Sequence, residues 1–139
     1  MSDQTADTPD LKTRVQELID TMINPAVAGH GGFVELIDVQ ALADTCTHPW
    51  FNQTLCEVND SVVRVGVLQG EYHWHHHDVE DEFFFVIDGL FIVDFQDRSV
   101  ELRPRQGFVV PRGVRHRTRA PVRSIVLMME SKGIVPTGS

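Results

Sequence analysis

Cysteine is scarce in this chain: among 139 residues only Cys46 and Cys56 carry thiols, and they do not form a C-x-x-C pair. That argues against a disulfide framework and against a thiolate-bound zinc or iron–sulfur site, leaving both cysteines as small hydrophobes. Long apolar runs are missing too, since nowhere do eighteen consecutive apolar residues occur. The opening MSDQTADTPD has neither the basic nor the apolar region of a secretory signal, so the expected location is the cytoplasm. Basic residues are outnumbered, with 12 Lys and Arg against 20 Asp and Glu and a formal net charge of -8. A surface of that sign disfavours nucleic acid or an anionic membrane as partner.

What is present suffices for one ordinary domain, because 42% of the residues are hydrophobic and the length supports a sizeable core. Residues 1–7 read as a disordered tail. Thr8-Pro9 offers an N-cap followed by a proline in the first turn, and Leu11, Val15, Leu18, Ile19, Met22 and Ile23 repeat at helical spacing until Asn24-Pro25 stops the pattern. The expected division is a tail and amphipathic helix over 1–33 and a β domain over 34–139. With that helix, the stretch INPAVAGHGGFVELIDV resembles the opening helix and first strand of NifU-like iron–sulfur scaffold domains. The cluster-binding C-x-x-C that should follow is absent, so no residue is carried over from that resemblance.

From Ser61 onward the chain turns to short β-rich runs. SVVRVGVLQ, YHWHH, EFFFVI, LFIVDFQ, SVEL, FVV and RSIVLMM read as strands. Asp88-Gly89 signals a two-residue hairpin and Gln96-Asp97-Arg98 a second turn, while Pro104, Pro111 and Pro121 punctuate the later runs. Many short strands without alternating helices imply an all-β antiparallel sandwich or barrel.

Residues 73–82, HWHHHDVEDE, concentrate the chemistry: four histidines in five positions, then four acids in five. Residues two apart on a strand share a face with backbones about 7 Å apart, so His75 and His77 can grip one ion together. Glu82 opens the next run and offers a carboxylate, and His116, just after the turn signal Pro111-Arg112-Gly113-Val114, can aim a third imidazole at the same point.

These residues carry a family resemblance. GEYHWHHHDVEDEFFFVIDG resembles the first motif of the cupin superfamily through Gly70, His75, His77, Glu82 and Gly89. GFVVPRGVRH resembles the second through Pro111, Gly113 and His116. Together they span roughly 60–130, and the chain is most similar to small single-domain members. Two departures concern turns and not ligands: Gly70 is one residue closer to His75 than usual, and Arg105 stands where the second motif begins with glycine. In addition, Ala120 stands where an asparagine is usual, and His73 where small members tend to have an apolar residue. The resemblance implies a double-stranded β-helix, or jelly-roll, barrel, commonly dimeric. It implies metal ligation by His75, His77, Glu82 and His116, with Glu82 preferred over the adjacent Asp81 by its six-residue step to Gly89. Such mixed ligation suits Fe, Mn, Ni or Zn. The expected function is a metal-dependent enzyme of dioxygenase, isomerase or lyase type acting on a small organic molecule, the alternative being a non-catalytic metal- or ligand-binding module.

The remaining residues sort by parity. His76 should face away from the ion, whereas His73 shares the ligands' parity and is the candidate catalytic, proton-transferring group. Phe84 and Val86 should line the cavity, and Phe83, Phe85 and Ile87 the opposite face, which needs a cover from the helix or from a second subunit, making a homodimer the expected assembly. Arg98 to Arg123 contains eight of the twelve basic residues, but Arg115, Arg117 and Arg119 alternate around His116 and should point outward onto a solvated or ion-paired face.

Overall fold

A computed structural model of the chain describes residues 10–18, 36–135 and 137–138. The chain divides into two compact units, Met1–Gln40 and Ala41–Ser139, the second holding every described strand. In the first, α1 (Leu11–Leu18) is capped by Asp10, whose Oδ1 accepts a hydrogen bond from the Thr13 N–H at 2.8 Å. Thr8-Pro9 and the stripe beyond Leu18 lie outside the described residues. So does most of the NifU-like stretch, but its end is visible: Leu36–Asp38 is irregular, and Val39 begins α2 (Val39–Thr45) where the resemblance placed a strand. No helix among the described residues is long and apolar enough to cross a membrane.

Seven antiparallel strands follow: β1 (Trp50–Val58), β2 (Ser61–Glu71), β3 (Glu82–Asp88), β4 (Phe91–Asp94), β5 (Ser99–Leu102), β6 (Gly107–Val110) and β7 (Arg117–Ser131). β7 organises them. One edge pairs with β2 along nearly its whole length, and the other pairs with β4 through Arg117–Arg119 and with β3 through Ile125–Met129. Pro121 therefore does not end a strand. It sits at the irregularity where Leu68 opposes Ser124 but Gly70 opposes Ala120, a place with no ladder bond to lose. Inward residues Leu68, Phe84, Val86, Phe91, Val93, Val110, Val126 and Met128 form one buried core. Cys46 and Cys56 are half-buried free thiols.

Two strand expectations need correction. YHWHH is not a strand: between β2 and β3 the chain is irregular apart from one isolated bridge, His75 to His116. Asp88-Gly89 does not close a hairpin, because β3 and β4 do not pair with each other; each pairs with a different part of β7. Gly89 is needed there for two reasons. Its φ is 91°, and a Cβ would lie 2.7 Å from the Arg123 carbonyl of β7. Gln96-Asp97-Arg98 does close the β4–β5 hairpin, with Phe95 N–H donating to the Arg98 carbonyl at 2.7 Å. Strand β1, which the sequence pattern did not reveal, forms a hairpin with β2 over Asn59, itself at φ 54°.

The arginine face is ion-paired as expected. Asp94, nearly buried, receives Arg119 Nε at 2.8 Å, Arg117 Nε at 3.0 Å and the Ser99 hydroxyl at 2.6 Å. Led by Arg119, these donors hold its carboxyl well below the usual carboxylate range. The cluster ties β4, β5 and β7 together.

Arg105 keeps the backbone of the glycine it replaces, at φ 70°. The two left-handed positions should therefore respond oppositely. Gly89→Ala should cost about 2–3 kcal/mol in urea unfolding, since strain and a backbone clash combine. Arg105→Gly should leave stability unchanged or raise it by up to about 1 kcal/mol. Equal effects at both sites would contradict the difference in packing.

Candidate metal centre

Four backbone hydrogen bonds assemble the site. His75 and His116 exchange N–H to carbonyl bonds, both 2.9 Å, so residues 41 positions apart lie directly opposite each other. Gly113 N–H donates to the His77 carbonyl at 2.7 Å and Tyr72 N–H to the Thr118 carbonyl at 2.8 Å, fixing the loop on either side. Although no continuous strand runs through 73–77, this edge contact preserves the alternation: His75 and His77 are buried, and His76 is only half-buried, its Nε2 3.0 Å from Asp78. Glu82 enters as the first residue of β3 and is buried as well.

The ligand atoms of His75, Glu82 and His116 all lie within 4.8 Å of one another, close enough for one ion. His77 Nε2 lies 3.6 Å from the Glu82 Oε2 that His116 Nε2 approaches to 3.5 Å. His75 Nδ1 donates to the His73 carbonyl and His116 Nδ1 to the Val114 carbonyl, both at 2.9 Å. A carbonyl can only accept, so each of these rings carries its hydrogen on Nδ1 and keeps a lone pair on Nε2. His77 Nε2, Glu82 Oε2 and His116 Nε2 are buried without any hydrogen-bond partner. Buried, unpartnered atoms beside one carboxylate fit a cation on His75, Glu82 and His116; His77 adjoins that group through Glu82 Oε2 but lies outside the set of mutually close ligand atoms. Burial lowers the pKa of His75 and of His77, keeping both rings neutral for metal near neutral pH.

Beside the centre is a cavity of about 60 Å³. Leu68, Phe84, Phe91 and Met128 form apolar walls; Asn52, Thr118, His75 and Glu82 supply polar groups; Trp50 and Tyr72, stacked at 5.5 Å with planes 7° apart, complete it. Phe84 thus lines the cavity as its parity implied, while Val86 belongs to the core below. Asp81 points to the surface, where Arg112 Nε holds it at 3.2 Å. His73 does not line the cavity. It is exposed, its ring centre 5.2 Å from that of His75.

Sequence reading missed Glu130. It is buried on β7 near Glu82 and paired with Arg64 Nε at 2.7 Å. Its signal was available: it follows Val126 and Met128 in parity and is the acid in an apolar run. Burial and the neighbouring Glu82 charge push its pKa up from 4.5 to about 7, against the opposing pull of Arg64.

A jelly-roll barrel with imidazoles and a carboxylate converging in its mouth defines a class, the double-stranded β-helix proteins with a potential metal site. The chain belongs to the cupin superfamily: residues 62–130 match the cupin domain. It is 40% identical over 93 residues to the Bacillus subtilis protein YdbB, covering 66% of this chain and 82% of that one. Among solved structures, a cupin-2 domain containing protein from Shewanella frigidimarina is similar with a TM-score of 0.67 and 26% identity, over 70% of this chain and 95% of that one. Protein NMB1881 from Neisseria meningitidis is similar with a TM-score of 0.63 and 26% identity, over 70% of this chain and all of that one.

The raised Glu130 pKa has a consequence for stability. A carboxyl that binds its proton more tightly folded than unfolded stabilises at low pH, and that contribution is lost as pH rises from about 4.5 through about 7. Metal-free protein should lose up to about 3 kcal/mol over that range from this group. Glu130→Gln should flatten that part of the pH profile in urea unfolding; an unchanged slope would assign the loss to other groups.

Proposed function

We propose that this cupin holds one divalent transition metal, iron, manganese, nickel or zinc, on His75, His77, Glu82 and His116, and acts on a small organic molecule in the adjoining cavity. The supporting observation is that buried His75, Glu82 and His116 bring their ligand atoms within 4.8 Å of one another, with Glu82 Oε2, His116 Nε2 and the neighbouring His77 Nε2 unpartnered. When bound, the ion supplies Lewis acidity suited to an oxygenase, isomerase or lyase reaction. The protein's own contribution is the surrounding wall. Leu68, Phe84, Phe91 and Met128 limit water, and the flat Trp50–Tyr72 pair restricts the orientation of a guest. Burial raises the Tyr72 pKa, so its hydroxyl stays protonated at neutral pH and can donate to a guest's oxygen. No Lys or Arg lines the cavity among the described residues, which favours a neutral guest or one whose anionic group meets the ion.

A second reading is a non-catalytic metal-binding module, favoured by the small volume of about 60 Å³. Turnover of a small-molecule panel by metal-loaded protein, lost in His116→Ala, separates the two. A homodimer is part of the proposal, supported by Val109, Phe83 and Met129, which form a row across β6, β3 and β7 with Val109 and Met129 about half exposed.

Calorimetric titration of the metal-free chain with Zn²⁺ or Mn²⁺ should show one site, lost in His75→Ala and in His116→Ala. Because the ligands bind as neutral imidazoles and burial lowers the pKa of His75 and His77, affinity should stay flat through the ordinary histidine pKa of about 6.5 and fall only at lower pH. Binding independent of pH between about 7 and 4, or undiminished in both variants, would contradict histidine ligation.

A further inference from the structure

Beyond the end of β7, Thr137 and Gly138 lie against the histidine loop. Ile134 is buried, and Gly138 N–H donates to the Val135 carbonyl at 2.9 Å. Two contacts then reach the candidate metal centre. His73 Nε2 donates to the Thr137 carbonyl at 2.7 Å, 64 positions away in sequence. Gly138, at φ 63°, lies so close to His75 that a Cβ there would sit 2.6 Å from the ring's Cδ2 and 2.7 Å from the His76 carbonyl.

These contacts meet on one imidazole. The His73 carbonyl fixes the His75 ring through Nδ1 at 2.9 Å, and Gly138 abuts the opposite side at Cδ2. Cδ2 is bonded directly to Nε2, the nitrogen left to meet the ion, so displacing one displaces the other. A methyl group at 138 would need ordinary contact of about 3.4 Å or more and would push the ring by several tenths of an ångström, whereas metal–nitrogen distances tolerate only about 0.2 Å.

We propose that Thr137 and Gly138 form a clasp that positions His75 for metal, with His73 fastening the clasp and glycine required at 138 by the ring beside it. His73 is then a positioning residue, since its Nε2–H is already engaged and its ring stands outside the cavity. The proposal rests on the metal reading above.

The test is Co²⁺ titration of the full metal-free chain, followed by the visible ligand-field bands and by calorimetry, with thermal unfolding of each metal-free variant alongside. His73→Ala and Gly138→Ala should bind Co²⁺ about 10–100-fold more weakly, the range expected when a partner orienting a ligand is lost. Their bands should shift, and metal-free His73→Ala should melt as wild type does. His73→Gln, which retains an N–H near the Thr137 carbonyl, should recover most of the affinity. His73 is exposed, so its alanine variant keeps the test decisive even where Gly138→Ala does not fold. Wild-type affinity and spectrum in His73→Ala would overturn the clasp while leaving the metal site intact. A wild-type chain that binds no Co²⁺ would overturn both, and binding undiminished in His116→Ala would place the ion elsewhere and remove the basis of the clasp.

Discussion

The paired hydrogen bonds between His75 and His116, 2.9 Å in each direction, are the constraint on which the site depends. They join a loop before β3 to the residue that precedes β7, and they turn both side chains to the same side of the backbone. Because β7 also pairs with β2, β3 and β4, the position of His116 is set by most of the barrel. Glu82 begins β3, which is itself registered on β7 through Phe83 opposite Met129. Three ligand candidates therefore inherit their geometry from ladders and not from their own mobility, which is what a site needs if it is to be organised before any ion arrives.

Charge is arranged around this frame in two contrasting ways. On the outer face, Asp94 gathers Arg117, Arg119 and Ser99, so its burial is compensated by three donors. At the metal centre, Glu82 and Glu130 are buried with Arg64 as the cation paired to Glu130, and burial keeps His75 and His77 neutral. The first cluster is electrostatically complete, and the second is short of positive charge. A divalent cation is the group that would complete it, satisfying the orphaned acceptors and relieving the repulsion between the two carboxyls.

Much of this was legible in the sequence. The spacings among His75, His77, Glu82 and Gly89, and from Pro111 to His116, reflect turns whose geometry tolerates few insertions, so the family and the jelly-roll fold followed from them. Less legible was what depends on partners remote in sequence. Asp88-Gly89 carries a local turn signal, but no local signal says that the two flanking strands pair with different stretches of β7. β1 was hidden because its polar, mostly exposed positions and the irregularity between Thr54 and Cys56 break the alternation that marks a strand. With it went Trp50 and Asn52 from the cavity wall. Glu130 looked like one more acid at a strand end, and the acceptor for His73 lay at Thr137, beyond the reach of any periodicity argument.

The claim that His75, His77, Glu82 and His116 hold one ion is tested most directly by X-ray absorption at the metal edge of the loaded, untagged protein. The account predicts multiple-scattering features of three imidazoles together with one protein carboxylate oxygen on a single ion, and one imidazole fewer in His77→Ala. A spectrum of oxygen ligands alone, or of three imidazoles unchanged in His77→Ala, would contradict it.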